Sequence, residues 1–143
     1  MSTMERYLLD TNTWIEYLKD RNGVPDRVDA LPRERLAVSE ITIAELIYGA
    51  FNSSNFKKHI QEATWLRENV EVYPISDVLE DYGEIRFATK RKGNPVGQFD
   101  ILIGATARHF GLTVVTDNEK DFLTMPGVRI ENWVQRNTTQ HID

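Results

Sequence analysis

Tyr7-Leu8-Leu9-Asp10-Thr11-Asn12-Thr13-Trp14-Ile15-Glu16-Tyr17-Leu18 opens with a short apolar run, meets an acid, and continues as a segment whose Trp14, Ile15 and Leu18 share one helical face. A buried strand that feeds an amphipathic helix is the unit from which parallel sheets are built. The same change of period recurs downstream. Leu36-Ala37-Val38 reads as a second strand, with Ser39 as N-cap of a helix from about Glu40 to Ala50. A short helix through Val28 and Leu31 precedes it, after the break at Asn22-Gly23-Val24-Pro25. Ser53 to Asn69 is helical, and Val70-Glu71-Val72-Tyr73 is a third strand ended by Pro74. Asp77 to Arg91 and Asp100 to Phe110 are further helices, joined by a loop over Gly93 to Gly97. Leu112 to Val115 is a fourth strand, Asn118 to Leu123 a brief helix, and Val128-Arg129-Ile130 a last strand. The order β-α-α-β-α-α-β-α-α-β-α-β predicts an α/β fold, a mainly parallel sheet flanked by helices on both faces. Residues 1–135 are expected to form one domain and 136–143 a polar tail.

The whole chain narrows the function classes. No apolar run approaches the ~20 residues of a membrane span, and Met1 to Arg6 lacks the basic start and apolar core of a secretory signal. A cytoplasmic protein is expected. With no cysteine there is no disulfide framework, thiol nucleophile or cysteine zinc site. A net charge of −5 argues against nucleic-acid binding through bulk field alone. It leaves nucleic acid open as a substrate, because a catalytic acid cluster lowers net charge. Arg86, Lys90, Arg91 and Lys92 concentrate positive charge shortly before Asp100 and are candidate phosphate contacts. Lys57, Lys58 and His59 read better as a solvated helix face.

Four acids stand where strands give way to helices: Asp10, Glu45, Asp100 and Asp117. Ligands of open parallel sheets bind at the carboxyl ends of the strands, near a topological switch point, so the fold would gather these acids at one edge. Two full charges about 4 Å apart repel by roughly 4 kcal/mol at an effective dielectric near 20. Such a cluster must take up protons or bind a cation. Each acid has an innocent reading: Asp10 as an N-cap, Asp100 and Asp117 as first-turn carboxylates, and Thr116 to Glu119 as a capping box. Glu45 resists one, because it lies between Ala44 and Leu46 in a helix apolar enough to be core.

Oxygen donors with open water positions suit Mg²⁺ or Mn²⁺, and the matching chemistry is hydrolysis of a phosphodiester by activated water. Thr11, Asn12, Ser39, Thr116 and Asn118 are short polar side chains able to orient carboxylates or water, or simply to cap helices. A ribonuclease working through two histidines is disfavoured, since His59 and His109 fall on helices and His141 in the tail. No phosphate-cradling glycine motif is present.

The chain resembles the PIN-domain ribonucleases, specifically the VapC toxins of type II toxin–antitoxin modules. The matching segments are Leu9-Asp10-Thr11-Asn12, residues 39–49 (SEITIAELIYG), 91–105 (RKGNPVGQFDILIGA), 114–122 (VVTDNEKDF) and 128–133 (VRIENW). The resemblance implies a Rossmann-like PIN fold, a Mg²⁺- or Mn²⁺-dependent endoribonuclease, and a homodimer. It also implies inhibition by a cognate VapB-type antitoxin, through which alone promoter DNA would be bound. It leans toward tRNA over ribosomal RNA as substrate. Carried over by residue, Asp10, Glu45 and Asp100 are the first three acids. The fourth is Asp117 or, next in order, Asp121, with Asn118 as a polar substitute. Two readings compete. A haloacid-dehalogenase-like phosphatase also opens with an aspartate after a strand, but Asn12 stands where its second aspartate belongs. A non-catalytic PIN-like RNA-binding module would have no need of the acids.

Overall fold

Strands of three or four residues hold together only where helices cover both of their faces, and that is how this chain folds. The computed structural model describes residues 4–93 and 95–136; the tail expected over 137–143, with His141, and Asn94 of the loop lie outside them. β1 (Tyr7–Leu9), β2 (Leu36–Ser39), β3 (Glu71–Tyr73), β4 (Thr113–Val115) and β5 (Arg129–Glu131) form one sheet in the order β3-β2-β1-β4-β5. Every pairing is parallel, with Leu8 opposite Ala37 on one side and Val114 on the other. The helices are α1 (Thr11–Leu18), α2 (Val24–Asp29), α3 (Glu40–Phe51), α4 (Phe56–Asn69), α5 (Leu79–Arg91), α6 (Gln98–Phe110) and α7 (Glu119–Phe122). Their order along the chain is the predicted one.

Side chains of a strand alternate between its faces, and the core divides accordingly. Leu8, Ala37, Tyr73 and Val114 pack with Ile85 of α5, Ile101 and Ile103 of α6 and Phe122 of α7. Leu9, Leu36, Val38 and Val115 pack on the opposite face with Trp14, Val28, Ile43, Leu66 and Trp133. Two glycines let α6 sit where it does. Gly104 leaves room for the Met125 sulfur, which any Cβ would strike. Gly111 adopts φ +70° and ends the helix in a left-handed turn.

The chain builds β1, β2 and β3 outward in one direction, then returns to place β4 and β5 on the other side of β1. The switch point therefore lies between β1 and β4. Several helices start at other residues than expected. α5 begins at Leu79 rather than Asp77, after a single 3₁₀ turn over Ser76–Val78, and α7 begins at Glu119 rather than Asn118. α6 begins at Gln98, so Asp100 lies in its first turn, and α4 begins only at Phe56, because Asn55 supplies the cap.

Candidate active site

Asp10 leaves β1 at the switch point. Its backbone N–H donates to the Val115 carbonyl at 3.0 Å, which fixes it against β4. Its side chain then caps α1: Oδ1 accepts from the Thr13 backbone N–H at 2.9 Å. Oδ2 accepts from the Thr116 hydroxyl at 2.6 Å. The residue is 3% exposed. Burial pushes its carboxyl above the usual carboxylate range, while the bonds from Thr116 and Thr13 pull it back. Asp10 is thus both a cap and a buried charge.

Glu45 approaches from α3. Sequence placed it in the core; the structure puts it half-buried at the edge of the helix, against α1. The Thr11 hydroxyl donates to its Oε1 at 2.6 Å. Asp100 enters from the first turn of α6, with burial, then the charge of Asp10, raising its carboxyl; Glu45 and Asp121 add further repulsion. The net result is about 6, despite the opposing hydrogen bond from Asn118. That amide donates to Asp100 Oδ2 at 3.2 Å and to Asp121 Oδ2 at 3.0 Å. Asn118 thus holds the two acids on either side of one NH₂ group. The Thr116 hydroxyl, besides bonding Asp10, accepts from the Asn118 backbone N–H at 2.9 Å. The capping box read from residues 116–119 does not form, since Asn118 itself takes the N-cap position and makes no side-chain cap bond.

Asp117 has other company. Asn132 Nδ2 donates to it at 3.0 Å, and the Arg136 guanidinium pairs with it. The hydrogen bond from Arg136 holds its carboxyl below the ordinary value. It is still near enough to Asp10 to add repulsion there. Asp10, Asn12, Arg21, Asp117 and Asn118 border a cleft of about 310 Å³. Ser39 is fully buried and caps α3, accepting from the Ile41 N–H at 3.1 Å. Arg136 and Asn132 were not singled out as partners of Asp117 in the sequence, since nothing local says that the end of the chain returns to β4.

The basic group divides. Arg86 and Lys90 line a cleft of about 370 Å³ with Gln98 and Ile101, beside the first turn of α6. Arg86 also donates to the Tyr82 hydroxyl at 2.8 Å. Arg91 lies over the Phe87 ring, 5.6 Å from its centroid, and Lys92 donates to the Thr124 carbonyl at 3.1 Å.

Among the described residues no three acidic or imidazole groups close on one point as a ready-made metal cage. The donor set fits a hard divalent ion on other grounds. It is all oxygen, and Glu45 Oε2, Asp100 Oδ1 and Asp121 Oδ1 accept no hydrogen bond among the described residues. The mutual repulsion around Asp100 is relieved by a cation.

Comparison with known proteins agrees over most of the chain. The family model of the PIN domain matches residues 7–127. The chain is 37% identical over 133 residues to the tRNA(fMet)-specific endonuclease VapC of Salmonella typhimurium, spanning 91% of this chain and 99% of that one. It is 36% identical over 132 residues to Ribonuclease VapC1 of Haemophilus influenzae, spanning 90% and 98%. Among solved structures, a chain of the DNA-bound VapBC from Salmonella typhimurium superposes with a TM-score of 0.83 at 36% identity, covering 91% of this chain and 99% of that chain. A chain of VapBC-1 from nontypeable Haemophilus influenzae gives 0.78 at 35%, covering 89% and 97%.

Proposed function

This chain belongs to the PIN-domain family of VapC-type ribonucleases, and from that premise we propose that it is the toxin of a type II toxin–antitoxin pair. It cleaves RNA endonucleolytically with Mg²⁺ or Mn²⁺, and tRNA is the favoured substrate, as it is by name for the Salmonella relative. The observation that carries the reading is the placement of Asp10, Glu45, Asp100 and Asp121 at the carboxyl edge of the sheet. There Asn118 bridges Asp100 and Asp121, and the charges of Asp10, Glu45 and Asp121 bear on Asp100. A VapB-type antitoxin neutralises it and provides the contact with promoter DNA, in keeping with the VapBC complexes it resembles. The toxin works as a homodimer in the cytoplasm, with the activity on one domain over residues 1–135. Among the described residues no helix is long and apolar enough to cross a membrane.

Asp10, Glu45, Asp100 and Asp121 would hold the ion. Asp121 is preferred to Asp117 as the fourth acid because it shares Asn118 with Asp100, whereas Asp117 is already neutralised by Arg136. When bound, the ion supplies positive charge that offsets the acids and draws electron density from water and phosphoryl oxygen. Thr116 and the start of α1 favour the ionised form of Asp10 against its burial and fix its orientation. Asn118 keeps Asp100 and Asp121 apart at a set spacing. Arg86 and Lys90 receive backbone phosphates on the flank of α6. Water adds to phosphorus as the 3′-oxygen leaves and takes a proton, giving 5′-phosphate and 3′-hydroxyl ends.

A covalent phosphatase built on Asp10 is disfavoured because Asn12 stands where that family's second aspartate belongs, and a phosphate trapped covalently on Asp10 would revive it. Expressed without antitoxin, the protein should arrest growth, and Asp10→Ala should abolish the arrest. Undiminished arrest by that variant would remove the acids from the mechanism.

A further inference from the structure

Thr42 lies one turn before Glu45 on α3 and is fully buried. Its hydroxyl oxygen is 2.9 Å from that of Thr11, which in turn is 2.6 Å from Glu45 Oε1. Each hydroxyl has one proton to give, and an ionised carboxylate only accepts. Thr11 therefore donates to Glu45, and Thr42 must be the donor to Thr11. Two O–H dipoles point the same way along the relay, each strengthening the next. A helical threonine has an easier partner in the carbonyl of its own preceding turn, and Thr106 of α6 and Thr89 of α5 take it. Thr106 donates to Leu102 at 2.8 Å and Thr89 to Arg86 at 3.1 Å. Thr42 instead directs its proton across to α1, to the residue that follows Asp10.

We propose that Thr42 is a positioning residue that acts through Thr11 to set the Glu45 carboxylate, leaving Oε2 without a hydrogen bond among the described residues. The inference rests on the nuclease reading of the acids. It ties the acid of α3 to the start of α1, so that the two helices carry Asp10 and Glu45 as one unit.

The test uses the full chain and the variants Thr42→Val and Thr42→Ser, with Thr11→Val as a second break in the same relay at a half-exposed site. Valine keeps the shape and removes the hydroxyl; serine keeps the hydroxyl. RNA cleavage gives kcat and KM, and titration with Mn²⁺ followed by electron paramagnetic resonance gives the ion's affinity. Either valine variant should lower kcat about tenfold or more, change KM less than about twofold, and weaken Mn²⁺ binding about threefold or more. Thr42→Ser should restore both within about twofold of wild type. In a Glu45→Gln background, Thr42→Val should weaken Mn²⁺ binding no further. Wild-type values in both valine variants would overturn the relay, as would equal impairment by serine and valine, or an undiminished effect without Glu45. If the unmodified chain cleaves no RNA, the nuclease reading falls, and the relay's role falls with it.

Discussion

Asp100 is held in a setting that opposes its charge, and that gives it a signature beyond lost activity. Its carboxyl is pushed up to about 6, first by burial and then by the charge of Asp10, against about 3.9 in an unfolded chain. The metal-free folded protein thus binds this proton more tightly than the unfolded chain does. The stability it contributes is complete below about pH 4 and is lost as pH rises through about 6. Asp100→Asn should therefore abolish cleavage while raising the thermal midpoint of the metal-free protein at pH 7 by a few degrees, a gain of about 1–2 kcal/mol after solvent screening. Calorimetry at pH 4.5 and pH 7 checks it: the gain should shrink at the lower pH. At the neighbouring position the expected contrast is that Asp121→Asn lowers kcat at least tenfold and Asp117→Asn less than threefold, measured on one RNA. Equal losses would return Asp117 to the site. Asp10 is legible from sequence because it directly follows β1. Asp100 follows helix α5 and a loop rather than a strand, and Glu45 lies in the second turn of α3, so their approach to Asp10 depends on how α3 and α6 pack. The choice between Asp117 and Asp121 is not legible there either, because it turns on Arg136 and Asn132 reaching back to β4, and on the rotation of a four-residue helix.

The elements were more legible than their edges. Short apolar runs identify the central strands β1, β2 and β4, since a strand covered on both faces is largely apolar. The edge strands β3 and β5 carry Glu71, Arg129 and Glu131 and show only a brief apolar signal. Helix starts depend on which polar side chain wins the cap. Asn55 rather than Ser53 begins α4, and α6 starts two residues ahead of Asp100 at Gln98. Glu45 was misjudged for a related reason: α3 is apolar enough to be core, yet the side carrying Glu45 meets the Thr11 hydroxyl rather than the sheet. Packing adds a constraint that periodicity does not reveal. Gly104 is in contact range of Met125 only because it has no side chain. Gly104→Val should destabilise by about 1–3 kcal/mol through overpacking, seen as a lower midpoint in chemical denaturation. An unchanged midpoint would mean that Met125 moves aside freely.

For the molecule as a whole, the strand order β3-β2-β1-β4-β5 is what turns separate acids into a site. It brings Asp10 and Thr116 side by side at the switch point and lets α3 and α6 deliver Glu45 and Asp100 to the same edge. A net charge of −5 and a catalytic edge rich in carboxylates do not favour RNA binding by themselves. In the proposed function, attraction would come from a bound cation and from the cleft that Arg86 and Lys90 line. The most direct measurement is end-mapping of a total tRNA pool incubated with the purified, antitoxin-free protein. Cuts bearing 5′-phosphates should appear with Mg²⁺ or Mn²⁺ and vanish with EDTA or in the Asp100→Asn variant. Cuts that persist unchanged in EDTA and in that variant would contradict the account.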